Sequence, residues 1–381
     1  MERGEATHYN IFKLAQKLEM EGKEVIHFEV GDPYIDIDEE INEELCRRAK
    51  MGYTHYSSPY GIDEFRVAVS DYLKNTLGID INTDNILVTP GSKSGLEMFI
   101  EVVSKEVEDV VILYPTWGTY EWLLKYHGIR FKAIKTQYKN YWRPSEDDLT
   151  QIENMDFQMM ILLNPSNPTG LKLDNDLMDK LVDIAMYKDA IIVSDEVYYQ
   201  TIYDENYIEK YPSILKYEYE YGVALHSLSK SHAMTGYRLG WITAKKEWID
   251  KMVKIIQHSY TNIPVFIQYA GIKAIKNLEI PKRLRTIYRD RTLYMAEKLE
   301  KLGFRFHRPD ATFYIFAEVP DYITDTSEFI IRLLRDELVA LAPGNSFGGY
   351  DRFIRFSAVY PKDKIDVGID RLANFLMKWT K

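Results

Sequence analysis

The chain has a single cysteine, Cys46, in 381 residues. That excludes a disulfide framework and a Cys-rich metal site, and no metal is expected. It also has no excess of positive charge. Lys and Arg number 48 against 58 Asp and Glu, a formal net charge of −10. A surface built for nucleic acid carries the opposite balance, so no nucleic-acid partner is expected. No run approaches the ~18 consecutive apolar residues of a membrane helix, so no membrane partner is expected. The opening residues Met1 to His8 contain no apolar stretch of signal-peptide length, and a cytoplasmic location is the expectation. Internal repeats and low-complexity tracts are missing too. What remains is the composition of a globular enzyme: 46% hydrophobic and 28% charged residues, with enough chain for two domains and a large core. The 29 tyrosines are many, and most read as packing residues.

Short apolar runs alternate with amphipathic helical stretches through the middle of the chain. Ile86–Thr89, Val110–Leu113, Met159–Leu163, Ala190–Ser194 and Val223–His226 read as strands. Runs apolar on both faces, separated by helices, indicate an α/β fold with a mostly parallel sheet flanked by helices. Such sheets bind ligands at the carboxyl ends of their strands. Each run ends in residues suited to that: Gly91-Ser92, Tyr114-Pro115, Asn164-Pro165, Asp195 and Ser227. After about residue 280 the pattern changes. Leu284–Leu302 reads as a long helix. It is followed by a strand at Phe313–Phe316, a helix at Ser327–Leu338, a turn at Ala342-Pro343-Gly344, a strand at Phe353–Val359, and a last helix from about Ile365. This predicts a large domain over 36–280 and a smaller α+β domain made of 281–381 with the N-terminal segment 1–35. Residues 7–20 read as a helix folding back onto it.

One run dominates the chemistry. In Ser227-Leu228-Ser229-Lys230-Ser231-His232-Ala233-Met234-Thr235-Gly236-Tyr237-Arg238, a lysine follows a serine by three residues and an arginine follows by eight more. Lysine is a covalent catalyst when it condenses with a carbonyl compound or with pyridoxal phosphate. A nearby hydroxyl and guanidinium suit the phosphate of such a cofactor. Alone, the run reads first as a solvated polar loop, because such short motifs recur by chance. Two further segments bear on it: Asn164-Pro165-Ser166-Asn167-Pro168-Thr169-Gly170 and Ser194-Asp195-Glu196-Val197-Tyr198, each following a strand.

Together, and in this order, these segments resemble the class I and II aminotransferases, the fold-type I pyridoxal-phosphate enzymes, over nearly the whole chain. The resemblance implies pyridoxal 5'-phosphate as cofactor. Lys230 then matches the lysine that binds it covalently, and Asp195 the carboxylate that pairs with its pyridine nitrogen. Asn167 and Tyr198 match the groups that hydrogen-bond the ring's 3-oxygen, and Val197 the small residue packed under the ring. Trp117, in Tyr114-Pro115-Thr116-Trp117, matches the stacking aromatic, with Tyr114 as the alternative. Gly91, Ser92 and Lys93, in Gly91-Ser92-Lys93-Ser94-Gly95, match a phosphate cradle at a helix N-terminus, and Ser227 and Arg238 the remaining phosphate ligands of the same subunit. Tyr56 matches a tyrosine that reaches the partner subunit's phosphate, which implies a homodimer. Arg355 matches the clamp on the substrate's α-carboxylate, with Arg352 as the alternative, and Gly31 and Asn167 complete that end. The chain departs from the family at Asp32, where Glu is commoner.

The implied activity is amino transfer between an L-amino acid and a 2-oxo acid by ping-pong chemistry. Lys93 in the cradle loop suggests a second carboxylate, as in aspartate or glutamate with 2-oxoglutarate. An aromatic or broad-range aminotransferase, or a C–S lyase, is the alternative on the same fold. A non-catalytic effector-binding module of the same fold would normally carry a DNA-binding segment, for which this chain has no room. The substrate side chain is expected to meet Ile11, Tyr34 and the partner chain.

Overall fold

The structure, a computed structural model, describes residues 7–379. The outermost parts of the expected small domain, residues 1–6 and 380–381, lie outside the described residues. The centre is a seven-stranded sheet. In spatial order its strands are Ile86–Thr89, Gly240–Thr243, Gly222–Ser227, Ile191–Asp195, Met159–Leu163, Asp109–Tyr114 and Arg130–Lys135. Only Gly240–Thr243 runs against the others. The central strands are buried from end to end, as continuous apolar runs require when helices cover both faces. Register then does the positioning. Leu163 lies opposite Asp195, and Ser227 opposite Gly240, which in turn pairs with Thr89. So Asn164, Asp195, Ser227 and Gly91 emerge at one edge of the sheet.

Two of these strands escape the apolar-run criterion. Arg130–Lys135 alternates Arg130, Lys132 and Lys135 with apolar residues. Charges on that side suit an outermost strand, because they discourage further pairing. Gly240–Thr243 is short and begins with a glycine directly after the polar lysine run.

Beyond the sheet, a three-stranded antiparallel sheet has the order Ala342–Pro343, Phe353–Ser357, Tyr314–Glu318. Ala342-Pro343 is therefore an edge strand rather than the expected turn. Proline is tolerated there because an edge position needs no donor on its outer side, and the tight turn follows at Gly344–Phe347. The long helix runs Glu279–Lys301, starting five residues earlier than its apolar pattern suggested. Pro281 fits because it lies in the first turn, where its missing N–H has no intrahelical acceptor.

The N-terminal helix, His8–Met20, is capped by Thr7, whose hydroxyl accepts from the Asn10 N–H at 3.2 Å. It buries Ile11, Ala15 and Leu18, and packs on the Thr326–Glu337 helix and the Val339–Pro343 strands, as expected. Just after it, Ile26–His27 pairs in parallel with Val339–Ala340. Among the described residues no helix is long and apolar enough to cross a membrane.

Candidate active site

The strand ends, the N-terminal segment and the three-stranded sheet enclose a cavity of about 540 Å³. Gly31, Ser92, Lys93, Trp117, Asn167, Asp195, Val197, Tyr198, Ser227, Lys230, Arg238 and Arg355 all line it. The sequence therefore brought together residues as far apart as 31 and 355.

Asp195 closes its strand fully buried. Its Oδ2 accepts from the Tyr120 hydroxyl at 2.8 Å and its Oδ1 weakly from the Val197 N–H at 3.4 Å. Burial raises its pKa to about 6, against the pull of those two bonds and of His226. A carboxylate with so little compensation suits a cationic N–H partner inside the cavity. Tyr120 was not anticipated; its only signal was its place three residues after Trp117.

Lys230 sits in the short helix Leu228–Ser231, which Ser227 caps by accepting from the Ser229 N–H at 3.1 Å. Its carbonyl accepts from the Tyr288 hydroxyl at 2.9 Å, fixing the backbone. Its Nζ donates to the Gly31 carbonyl. Burial lowers its pKa to about 8; Arg355 and Arg238 push the same way and Asp32 opposes them. A lysine so placed is a better nucleophile and proton carrier than one in water.

The third feature is a cradle for an anion. Gly91, at φ 77°, opens the Ser92–Val103 helix, and no side chain caps that end. A Cβ at Gly91 would come within 2.6 Å of Arg238 Nη2, so the guanidinium can lie against the helix end only because the residue is glycine. Arg238 donates to the carbonyls of Thr235 at 2.9 Å and Pro90 at 3.3 Å. Ser227 Oγ donates to Ser229 Oγ at 2.8 Å. Ser229, which the motif's resemblance does not mark, lines the cavity too. Free helix N–H groups, hydroxyls and a guanidinium form a phosphate-binding set.

At the other end Arg355 is 3% exposed. Its Nη1 donates to Asn167 Oδ1 at 2.9 Å and its Nη2 to the Glu29 carbonyl, while Nε has no partner. Burial lowers its pKa, and Tyr314, Tyr198 and Glu29 resist this. Its guanidinium carbon lies 4.5 Å from the Tyr314 ring centroid. Tyr314 also shares a 2.9 Å hydrogen bond with the Tyr198 hydroxyl. Gly31 faces it so closely that a Cβ would lie 2.0 Å from the Tyr314 oxygen. Arg352, the alternative clamp, is committed elsewhere. It donates to the carbonyls of Val319 and Pro320 and does not line the cavity.

The walls bear on two further expectations. Trp117 lines the cavity, edge-on to Tyr120 with centroids 5.7 Å apart. Tyr114 does not; its hydroxyl donates to Glu121 at 2.7 Å and its ring packs against Gly348. Ile11 and Tyr34 do not meet the cavity, contrary to expectation. Ile11 faces the core, and Tyr34 packs on Tyr360, centroids 5.0 Å apart. His8 and Tyr9, a turn earlier on the same helix, line it instead. The His8 N–H donates to Ser346 Oγ at 3.0 Å. Tyr56 is 86% exposed and outside this cavity.

Cradle, buried carboxylate and lysine fit pyridoxal phosphate in donor chemistry, beside a cavity of about 540 Å³. The family model for class I and II aminotransferases matches residues 23–372. An aspartate aminotransferase of Pyrococcus horikoshii is 30% identical over 371 residues, covering 96% of this chain and 93% of that protein. A (5-formylfuran-3-yl)methyl phosphate transaminase of Methanocaldococcus jannaschii is 30% identical over 375 residues, 97% of this chain and 96% of that one. The solved aromatic aminotransferase of Pyrococcus horikoshii superposes with a TM-score of 0.87 at 28% identity, covering 96% of this chain and 99% of the other. The chain belongs to the class I and II aminotransferases and is a pyridoxal-phosphate-dependent aminotransferase.

Proposed function

We propose that the enzyme moves an amino group between aspartate or glutamate and a 2-oxo acid such as 2-oxoglutarate, in two half-reactions at one site. The observation that carries this is the set of cations in the cavity: Lys93, Lys230, Arg238 and Arg355. Lys230 and Arg238 serve the cofactor. Arg355 and Lys93 are left for two carboxylates of the substrate. One α-carboxylate clamp also supports ping-pong order, because amino donor and acceptor must use Arg355 in turn.

Pyridoxal phosphate, when bound, supplies the carbonyl that takes up the amino group and the ring that draws electrons from the substrate's Cα. The chain's own groups do the rest. The Gly91, Ser92 and Lys93 backbone, Ser227 and Arg238 would hold the phosphate. Trp117 and Val197 would flank the ring, Asn167 and Tyr198 would donate to its oxygen, and Asp195 would keep a proton on its nitrogen. Lys230 Nζ would bind the cofactor covalently at rest and move the proton at the substrate's Cα during turnover. Arg355, Asn167 and Gly31 orient the α-carboxylate.

Tyr56 completes the phosphate site of a second subunit in a C2 homodimer. The division into 36–280 and 1–35 with 281–381 belongs to the same account. Strand ends and cradle fall in the first unit, Arg355 and His8 in the second, so substrate is gripped between them. The lone cysteine suits the cytoplasm.

Tyr9, Trp117 and Phe347 also line the cavity, which favours aromatic donors as the second reading. Specificity constants for aspartate, glutamate, alanine and phenylalanine, in wild type and Lys93→Ala, separate the two. A charge-assisted pair is worth ~1.5–3 kcal/mol, about one to two powers of ten. Lys93→Ala should lose that factor on the dicarboxylates and not on phenylalanine. Equal losses on all four would remove the acidic-substrate reading.

A further inference from the structure

Glu29 is fully buried, and neither Lys230 nor the cofactor site uses its carboxylate. Its Oε1 lies 2.8 Å from His27 Nδ1, while Oε2 has no partner. The other ring nitrogen of His27 lies 3.0 Å from Glu19 Oε1. Glu19 belongs to the N-terminal helix, whose first residues, His8 and Tyr9, line the cavity. The backbone that follows His27 carries two contacts of the site. The Glu29 carbonyl accepts from Arg355 and the Gly31 carbonyl from Lys230.

We propose that His27, as an imidazolium bridging Glu29 and Glu19, is a positioning residue that holds the Glu29–Gly31 segment and thereby aims Arg355 at the substrate's carboxylate. This rests on Arg355 being the carboxylate clamp. Without the imidazolium, the buried Glu29 carboxylate would lose its one hydrogen-bonded cationic partner, and the segment would move to bring it water. The N-terminal helix would lose its tie to that segment at the same time.

The charged groups around His27 support a protonated ring. Glu19 faces it from the N-terminal helix and Glu29 from its own segment. Tyr360, adjacent to both, has Lys364 Nζ 4.6 Å from its ring centroid, and Lys364 is turned towards Glu24 at 3.9 Å. Burial lowers the His27 pKa, but the hydrogen bonds and charges of Glu29 and Glu19 outweigh it and raise the value to about 9. The brace is therefore complete below pH 6.5 and is lost as pH rises through about 9.

The test uses the holoenzyme and two carboxylates that lack an amine, maleate and 3-phenylpropionate, with Kd measured by calorimetry between pH 6 and 10. Wild type should bind its preferred probe with constant Kd to about pH 8 and weaken through about 9. His27→Gln should weaken binding about tenfold or more at pH 7. It should raise KM by more than it lowers kcat. The double variant His27→Gln/Glu29→Gln, which removes the stranded carboxylate, should recover most of the affinity and show no inflection near pH 9. Wild-type affinity in a folded His27→Gln protein would overturn the proposal. So would an unchanged inflection in the double variant, or a double variant no tighter than the single one. If His27→Gln fails to fold, the double variant and the wild-type pH profile decide. Arg355→Lys, run in parallel, keeps the two readings apart. If it binds both probes normally, the clamp assignment fails. If it weakens them while His27→Gln does not, only the brace fails.

Discussion

Lys230 is held partly out of water, with its pKa lowered to about 8 by burial and by Arg355 and Arg238. A lysine whose folded pKa lies below its ordinary 10.5 destabilises the folded apoprotein while protonated. The sign follows directly: the penalty is present below about pH 8 and fades as pH rises towards 10.5. Lys230→Met should therefore stabilise the apoprotein at pH 7, by up to about 3 kcal/mol less the lost bond to Gly31. Its advantage over wild type should shrink by pH 10. Denaturant titrations of both proteins at the two pH values check this, and equal stability at pH 7 would refute it. Asp195 makes the complementary prediction. Asp195→Ala should keep the fold and slow proton removal from substrate by several powers of ten, since a neutral pyridine is a poorer electron sink. Near-normal single-turnover rates would count against its role. At this scale the sequence was informative where a residue lies in a motif. Asp195, Asn167 and Lys230 follow apolar strands and could be found that way. Tyr120 and Tyr314 could not, because their part in the site depends on what the folded chain places opposite them, whereas Ser229 lies in the lysine run itself. Ile11 was misplaced for a related reason. On a helix the cavity-facing side is set by packing, and here the core takes Ile11 and leaves His8 and Tyr9 to the cavity.

Among the elements, the Gly91 entry to the Ser92–Val103 helix is the most sensitive. Gly91 has φ 77°, and a Cβ there would meet the Arg238 guanidinium at 2.6 Å. Gly91→Ala should cost about 1–2 kcal/mol in backbone strain. It should also displace Arg238 and weaken cofactor binding about tenfold or more, with secondary structure retained. Titration of apoprotein with pyridoxal phosphate, followed by absorbance, measures this; unchanged affinity would show that this helix end and Arg238 do not hold the phosphate. The buried strands were legible because their runs are apolar on both faces. Arg130–Lys135 was not, because this outermost strand carries Arg130, Lys132 and Lys135 where the others carry apolar residues. Ala342–Pro343 read as a turn because a Pro-Gly pair marks turns far more often than it marks an edge strand beside one.

For the whole molecule, the exposed ring of Tyr56 is the expected link between subunits. The active species should be a C2 homodimer, and Tyr56→Phe should weaken cofactor binding without dissociating it. Sedimentation at the concentrations used for assay, with cofactor titration of the variant, checks both parts. Full activity in a demonstrated monomer would refute the shared site. The family was evident from the chain alone, because the segments that carry it are short motifs that each follow a strand. Substrate preference was not, since relatives at 30% identity include an aspartate aminotransferase and a transaminase of a furan phosphate. On the proposed reading, preference depends on wall residues from separate elements, such as Lys93, Tyr9 and Phe347.

The central claim is that Lys230 is the residue that holds the cofactor and moves the proton. The cavity contains one other lysine, Lys93, 5.5 Å from the Trp117 ring centroid, which makes a direct contest possible. Borohydride reduction of the protein loaded with pyridoxal phosphate, followed by peptide mapping, should place the pyridoxyl group on Lys230. Lys230→Ala should take no label, still bind the cofactor through the cradle, and lose turnover. A label on Lys93, or on any lysine other than Lys230, would contradict the account.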